Sequence, residues 1–227
     1  MNKIKLMYDV AKAMKEKEVF IGSLEVEAKK DQVEFFALKN EFEKSLVTGQ
    51  VKVKINTALD CEGKQIKHES TSEFNLQNCC GGKHHHLRKH FHSHCCDEES
   101  GCCCTGLKGK LSNLIYILRL IDKVKIEELE NNTLALSLNI DEMPEELMKH
   151  IHGRFQHCMS NEDSHGQECC SCMNDLMSTE KPIISLNMQL NQDRAIDRIL
   201  VTAEGKQKDN TDQIHEINLR AELNLKW

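Results

Sequence analysis

Near its end the sequence reads Glu216-Ile217-Asn218-Leu219-Arg220-Ala221-Glu222-Leu223-Asn224-Leu225-Lys226-Trp227, where polar and apolar side chains alternate without interruption. Successive side chains of a β-strand point to opposite faces, so this period of two predicts a strand with one apolar and one polar face. Similar patterns predict eight further strands, at residues 19–28, 32–38, 46–59, 64–76, 124–130, 133–140, 182–191 and 196–204. Strands of this kind, joined by short turns, indicate a largely antiparallel sheet with one buried face.

Three other stretches repeat their apolar residues at helical spacing. Residues 3–17 and 107–122 each place aliphatic side chains on one face and polar groups opposite. Asp141 is a suitable N-cap for a third helix, whose first turn contains Pro144 and whose apolar side runs to Phe155. We expect these helices to cover the apolar face of the sheet.

Residues 77–106 break these patterns because they contain almost no aliphatic side chains and cannot supply a core of their own. We interpret residues 79–106 as a Cys/His-rich insertion between two halves, 1–78 and 107–227, that each begin with a helix and continue into a strand meander. A second Cys/His-bearing loop is expected at 157–180. The prediction is a single domain that spans residues 1–227.

Composition and charge restrict the possible functions. The 227-residue chain is 39% hydrophobic and 29% charged, as expected for a folded globular protein, and its formal net charge is -6. Because its basic residues are scattered and aromatic residues make up only 4% of it, we expect no nucleic-acid partner. No stretch approaches the about 20 apolar residues needed to cross a bilayer, so we expect no membrane-spanning segment.

The first ten residues lack the apolar core and the cleavage site of a secretory signal. We therefore expect a cytoplasmic protein, or an extracytoplasmic one if a signal sequence has been removed. Thiols stay reduced in the cytoplasm, where clustered cysteines more often bind metal than form disulfides.

The strongest functional signal is the clustering of the 12 Cys and 12 His of the chain. Thiolates and imidazoles are the preferred ligands of Zn²⁺, Cu⁺, Ni²⁺ and Co²⁺, so the first cluster predicts a transition-metal site, with zinc as the first choice. If residues 84–95 are helical, three of their imidazoles share one face. The predicted ligands of this cluster are Cys79, Cys80, His84, His85, His86, His90, His92, His94, Cys95, Cys96, Cys102, Cys103 and Cys104.

A second group of candidate ligands follows the third predicted helix. Cys170-Ser171-Cys172 is a compact chelating pair, and His157-Cys158 lies where the helix is expected to end. The predicted ligands of this group are His157, Cys158, His165, Cys169, Cys170 and Cys172. Cys61, His68 and His215 have no ligand neighbours in sequence, and we interpret them as structural or surface residues. Of the two other histidines, His150 and His152, we interpret His150 as an exposed residue of the third helix.

Three other interpretations of the first cluster stay open. It can be a solvated His-rich tract, an affinity tag, or a disulfide knot, and the last gains weight if the protein is exported. The spacing of its cysteines differs from the two-plus-two pattern of a single zinc finger, and it contains more ligands than one tetrahedral site uses.

Motifs of common enzyme classes are missing from the sequence, which has no Gly-rich phosphate loop, no GxSxG elbow and no HExxH helix. We therefore expect no enzyme but a metal-binding protein that serves in sequestration, delivery or sensing. Its expected partners are metal ions and either a membrane transporter or another protein.

The order of the predicted elements resembles the lipoprotein-carrier (LolA-like) and small-lipoprotein fold. The likeness rests on the leading helix Leu6–Met14, the alternating stretch 19–76 and the closing strands from Ile184 to Leu223. It is a likeness of pattern without a specific motif, and Cys/His clusters are not typical of that family. It implies an α+β fold in which a curved, largely antiparallel sheet has helices packed on one face, here with two Cys/His-rich insertions. It also implies an alternative function, which is to carry a lipid or other apolar ligand in the concave sheet, with the Cys/His segments as a structural metal clasp or as disulfides.

Overall fold

The computed structural model describes residues 2–61, 63–76, 118–140, 180–208 and 212–227. Within these ranges the protein is mostly β, with nine strands in one antiparallel sheet that does not close on itself. The strands are β1 (Val19–Lys30), β2 (Val33–Ser45), β3 (Gln50–Cys61), β4 (Lys64–Asn75), β5 (Lys125–Glu128), β6 (Leu134–Ile140), β7 (Glu180–Leu190), β8 (Ile196–Lys208) and β9 (Ile214–Lys226). The described helices are α1 (Lys3–Lys15), the segment 118–123, which we call α2, and a 3₁₀ turn at Glu130–Asn132.

The strand order is β4-β3-β2-β1-β9-β8-β7-β6-β5, so the sheet consists of two meanders joined at one seam. Strands β1 to β4 pair consecutively, and so do β5 to β9. The seam is the antiparallel pairing of β1 with β9, which runs from Ile21 opposite Lys226 to Lys30 opposite Ile217. Among the described strands, β4 and β5 are therefore the two edges of the sheet.

The register aligns apolar side chains into continuous rows across the strands. In one row Leu136 lies opposite Met188, Met188 opposite Ile199, Ile199 opposite Leu223, and Leu223 opposite Leu24. Because directly opposed residues share a face, these rows make one side of the sheet apolar from β6 to β1. The other side presents the alternate, mostly polar positions.

Helix α1 packs on the apolar face over β6 and β7. The side chain of Asn2 caps its first turn by accepting the amide of Lys5. Leu6 and Val10 are buried on the inner side of the helix. They join a core cluster whose other buried members are Val124, Leu134, Leu136, Leu138 and Leu190. Leu134 and Leu190 lie directly opposite each other at the centre of this core.

The predicted antiparallel sheet is confirmed, but helices contribute less to the described structure than the predicted α+β class implies. The helix expected from Asp141 onward and most of the helix expected at 107–122 lie outside the described residues. Three strand boundaries differ from the prediction by four residues or more, and one of them is the end of β8, at Lys208 instead of 204. β2 continues to Ser45, whereas the predicted strand ends at 38. The prediction is too short because Asn40 occupies an apolar-face position and interrupts the hydrophobic alternation. β3 begins at Gln50 instead of 46, because the chain turns before it, at Gly49 with φ 70°.

Candidate functional site

All nineteen predicted metal ligands lie outside the described residues. This holds for the thirteen from Cys79 to Cys104 and for the six from His157 to Cys172. The structure therefore gives only the strand ends that flank each Cys/His segment.

The first segment follows β4, and the second connects β6 to β7. β4 ends with Asn75 opposite Gln50, at the end of the strands where β3 begins. β6 ends and β7 begins at the opposite end of the strands, where Ile140 lies opposite Ile184. Five strands lie between β4 and β7 in the sheet. The described strand ends that flank the two segments are therefore far apart in the sheet, on either side of the β1–β9 seam.

Within the described part of the chain, no three His, Cys, Asp or Glu side chains come close enough to hold a metal ion. His68 lies on the edge strand β4, opposite Thr57. His215 lies at the start of β9, where its Nδ1 donates to Oδ2 of Asp31 at 2.6 Å. The His215 side chain is only 15% exposed, whereas that of Asp31 is 51% exposed.

Asp31 occupies the β1–β2 turn in a left-handed conformation, with φ 49°. The side chain of Asp31 also accepts the amide of Glu216 at 2.9 Å. The hydrogen bond from His215, followed by that from Glu216, lowers the pKa of the Asp31 carboxyl below its ordinary value. These contacts fasten the turn to β9. The sequence signal that could have identified Asp31 is its place in a tight turn, since Asp tolerates positive φ better than most residues.

The polar face of β1 to β4 carries charges of both signs. Lys39 lies 3.4 Å from Glu25 and 3.6 Å from Glu41, and Lys54 lies 3.3 Å from Glu69. Two shallow grooves between these side chains enclose about 470 Å³ and about 540 Å³. The first groove is lined by four Lys and two Glu and the second by two Lys and three Glu, so each contains charges of both signs.

The apolar face extends beyond the core under α1. The buried cluster and the residues packed on it come from α1, α2, residue 124 and strands β5 to β8. Apolar side chains of β9, β1, β2 and β3 occupy the same face, where Val26 and Leu38 are half-buried and Ala28, Val51 and Ile217 are buried. Asn40 lies among them, and its Oδ1 is buried without a hydrogen-bond partner.

Comparison with known proteins assigns this chain to no family. No family model and no curated protein matches the chain. Among solved structures, the chain is similar to one titled "Crystal structure of an N-terminal dehydratase from difficidin assembly line", at 10% sequence identity. The alignment covers 97% of this chain and 82% of that one, and its TM-score is 0.16. A TM-score this low supports no conclusion about fold or function.

Proposed function

We propose that this protein is a non-enzymatic binder of transition-metal ions, zinc first, that serves in metal sequestration, delivery or sensing. The observation that carries the proposal is the concentration of eleven of the 12 Cys and eight of the 12 His in two short segments. These segments hold almost no aliphatic side chains, so hydrophobic burial would contribute little to ordering them, whereas metal coordination would contribute much.

The arrangement of the sheet is compatible with this proposal. The described strands pair with one another through residues that lie outside the two Cys/His clusters. Cys61 is the one cysteine whose backbone lies within a described strand. Soft and borderline ions favour Cys-rich shells, and the segments offer enough thiols for more than one such shell.

The direct test is elemental analysis of untagged protein that has been purified without a metal-affinity step. We expect bound zinc, copper, nickel or cobalt, and a Co²⁺-loaded sample should show the absorption bands of tetrahedral thiolate coordination. Double replacement of Cys95 and Cys96 by Ser should weaken these bands. Cys61→Ser is the matched control and should leave them unchanged. A protein that holds no metal after loading and buffer exchange would refute the proposal.

Thiol titration distinguishes metal binding from the disulfide interpretation. In a metal-loaded protein few thiols react until a chelator removes the metal, because the coordinated thiolates are protected. If a chelator changes nothing while a reductant exposes new thiols, the clusters are disulfides and the protein is an extracytoplasmic one.

A second candidate function is to carry a lipid or other apolar ligand, with the Cys/His segments as a clasp. It is favoured by the half-buried apolar positions on β9, β1, β2 and β3, and by the likeness of the element order to the LolA-like curved sheet. Equilibrium dialysis with a labelled fatty acid tests it. Binding near one ligand per chain that persists after chelation would support the carrier, and the absence of saturable binding would exclude it.

A further inference from the structure

The outer edge of β4 is open to a partner strand within the described structure. β4 pairs with β3 along one side, and no described residue pairs with its other side. The amide of Leu76 donates to the carbonyl of Gly49 at 2.7 Å. This bond shows which residues of β4 form the hydrogen-bonded pairs with β3. By the alternation of an antiparallel ladder, even-numbered residues of β4 bond to β3, and odd-numbered residues direct their N–H and C=O groups outward.

The sequence of β4 is self-complementary about Ser70. Ile66 and Phe74 lie four residues to either side of Ser70, on the apolar face, and they remain 48% and 42% exposed. Lys67 and Glu73 lie three residues to either side, on the polar face. A second β4 running antiparallel, with Ser70 opposite Ser70, therefore sets Ile66 against Phe74 and Lys67 against Glu73, and the two-fold axis makes each pair twice.

We propose that this chain forms a symmetric homodimer in which two β4 strands pair with Ser70 opposite Ser70 and join two sheets into one. The outward-directed residues Lys67 and Glu73 then form a hydrogen-bonded pair in the new ladder. Ile66 and Phe74 form a non-hydrogen-bonded pair, the kind in which opposed side chains approach most closely. The apolar contact thus falls where the geometry favours it most.

The new contacts continue the apolar rows of each sheet. Ile66 lies opposite Leu59 in its own chain, and Phe74 lies opposite Val51, which is only 7% exposed. Across the dimer axis, a row of four apolar side chains would run from Leu59 and Ile66 of one copy to Phe74 and Val51 of the other. Two such rows form, one on each side of the axis, and they cover both exposed side chains.

The charges of β4 select this register over its neighbours. Charged residues on an edge strand usually oppose edge-to-edge pairing. Shifting the axis by one residue places Glu69 opposite Glu69 in one direction and Glu69 opposite Glu73 in the other, and both arrangements are repulsive. Only the axis at Ser70 combines two Lys–Glu pairs with two Ile–Phe pairs. The occupant that best fits this edge is therefore a second copy of the same chain.

The test measures the oligomeric state of the full chain by sedimentation velocity over about a hundredfold range of concentration. Reductant and chelator are present, so that neither disulfides nor shared metal can link two chains. We expect a reversible monomer–dimer equilibrium. Lys67→Glu and Glu73→Lys should each weaken the dimer at least tenfold, because each creates two like-charged pairs. The double reversal restores both pairs and should restore the dimer.

The matched control is Lys5→Glu on α1, which makes the same charge change far from β4 and should leave dimerisation unchanged. A wild-type chain that stays monomeric throughout, or a dimer that the single reversals do not weaken or the double reversal does not restore, overturns the proposal. If either reversal perturbs folding, as circular dichroism would reveal, Ser70→Cys gives an independent test. Mild oxidation must then join two copies at position 70, and failure of peptide mapping to find that link also overturns it.

Discussion

The carboxylate of Asp31 accepts a hydrogen bond from the imidazole of His215 across 184 positions of sequence, with 2.6 Å between Oδ2 and Nδ1. The backbone amide of Asp31 also donates to the carbonyl of Glu216 at 2.9 Å. The β1–β2 turn is thereby fastened to the first residues of β9, at one end of the seam that joins the two meanders. This contact is therefore a point at which pH can act on the sheet.

We expect acid to weaken this contact. A carboxyl whose pKa is lower in the folded state adds stability above its unfolded-state pKa and loses it as the pH falls through its folded-state pKa. The pKa of Asp31 lies below the ordinary 3.8, chiefly because of His215, so the contribution is present at neutral pH and is lost under more acid conditions than pH 3.8. Asp31→Asn should lower the melting temperature at neutral pH by a few degrees, with the difference from wild type shrinking in acid.

Thermal unfolding followed by circular dichroism, from neutral pH down to about pH 2.5, measures this effect. Asp193→Asn, in the β7–β8 turn, is the control because no described residue bonds its carboxylate. A melting-temperature difference for Asp31→Asn that stays constant over the whole pH range would contradict the assignment.

Replacing Glu222 should destabilise the seam. Its side chain is 14% exposed and accepts from Arg198 Nε at 2.7 Å, and Arg220 also bonds it. These contacts, Arg198 first, lower the pKa of Glu222. We expect Glu222→Gln to reduce the free energy of unfolding by about 1–2 kcal/mol, because a charged hydrogen bond is weakened at a mostly buried site. Urea unfolding measures it, with the exposed Glu204→Gln of β8 as control. Equal effects of the two substitutions would argue against a special role for Glu222.

A methyl group at position 22 should disrupt the same seam more severely. A Cβ built on Gly22 overlaps the carbonyl oxygen of Asn224 and lies 3.0 Å from side-chain carbons of both Leu225 and Phe42. Because backbone of β9 must move, we expect Gly22→Ala to cost about 2–3 kcal/mol, at the upper end for overpacking.

Gly63 offers the contrasting control for this substitution. It has φ 83° but nothing within 4 Å of a Cβ, so Gly63→Ala should cost only about 1 kcal/mol, from backbone strain. Comparison of the two variants by urea unfolding checks the prediction. If Gly63→Ala is the more destabilising of the two, β9 must be able to move away from a methyl group at position 22 with little loss of stability.

Truncation of Leu6 tests whether α1 contributes to the main core. Leu6 is 2% exposed and packs in the cluster with Leu134 and Leu190. We expect Leu6→Ala to reduce the free energy of unfolding by about 2–4 kcal/mol, as for other buried leucines. Ile4 lies on the outer side of the same helix and is 62% exposed, so Ile4→Ala should change it by less than about 0.5 kcal/mol. Similar losses in both variants would show that the burial of Leu6 does not determine the effect, since Ala is the best helix former and neither substitution lowers helix propensity.

Removing the first Cys/His segment should leave the sheet folded. Because β4 and β5 are the two edges, the connection spans eight strand spacings, about 38 Å along an uncurved sheet. Residues 79–104 should therefore be replaced by a flexible Gly/Ser linker of about 15 residues. Loop-length entropy changes slowly, so unfolding free energy should shift by no more than about 1 kcal/mol while metal binding falls. Loss of the far-UV strand signal would show instead that the segment is a structural clasp.

Much of the local structure could be predicted from the sequence, because period-two alternation and helical spacing are properties of neighbouring residues. The nine strands and the leading helix were predicted near their observed positions. β2 was predicted too short because Asn40 sits on the apolar face and resembles a break in the pattern. The candidate metal ligands follow from residue chemistry and spacing alone, and they stay a prediction, since they lie outside the described residues.

The sequence by itself determined which residues form strands, which face of each strand is apolar, and where the chain carries ligand chemistry instead of core. Only the tertiary structure decided that β1 pairs with β9, that β4 and β5 become the edges, and that Asp31 meets His215. The physical reason is that backbone hydrogen bonds are the same for every strand, so alternation defines a face but not a neighbour. The choice of neighbour depends on packing between residues far apart in sequence, as when Gly22 admits the backbone of β9.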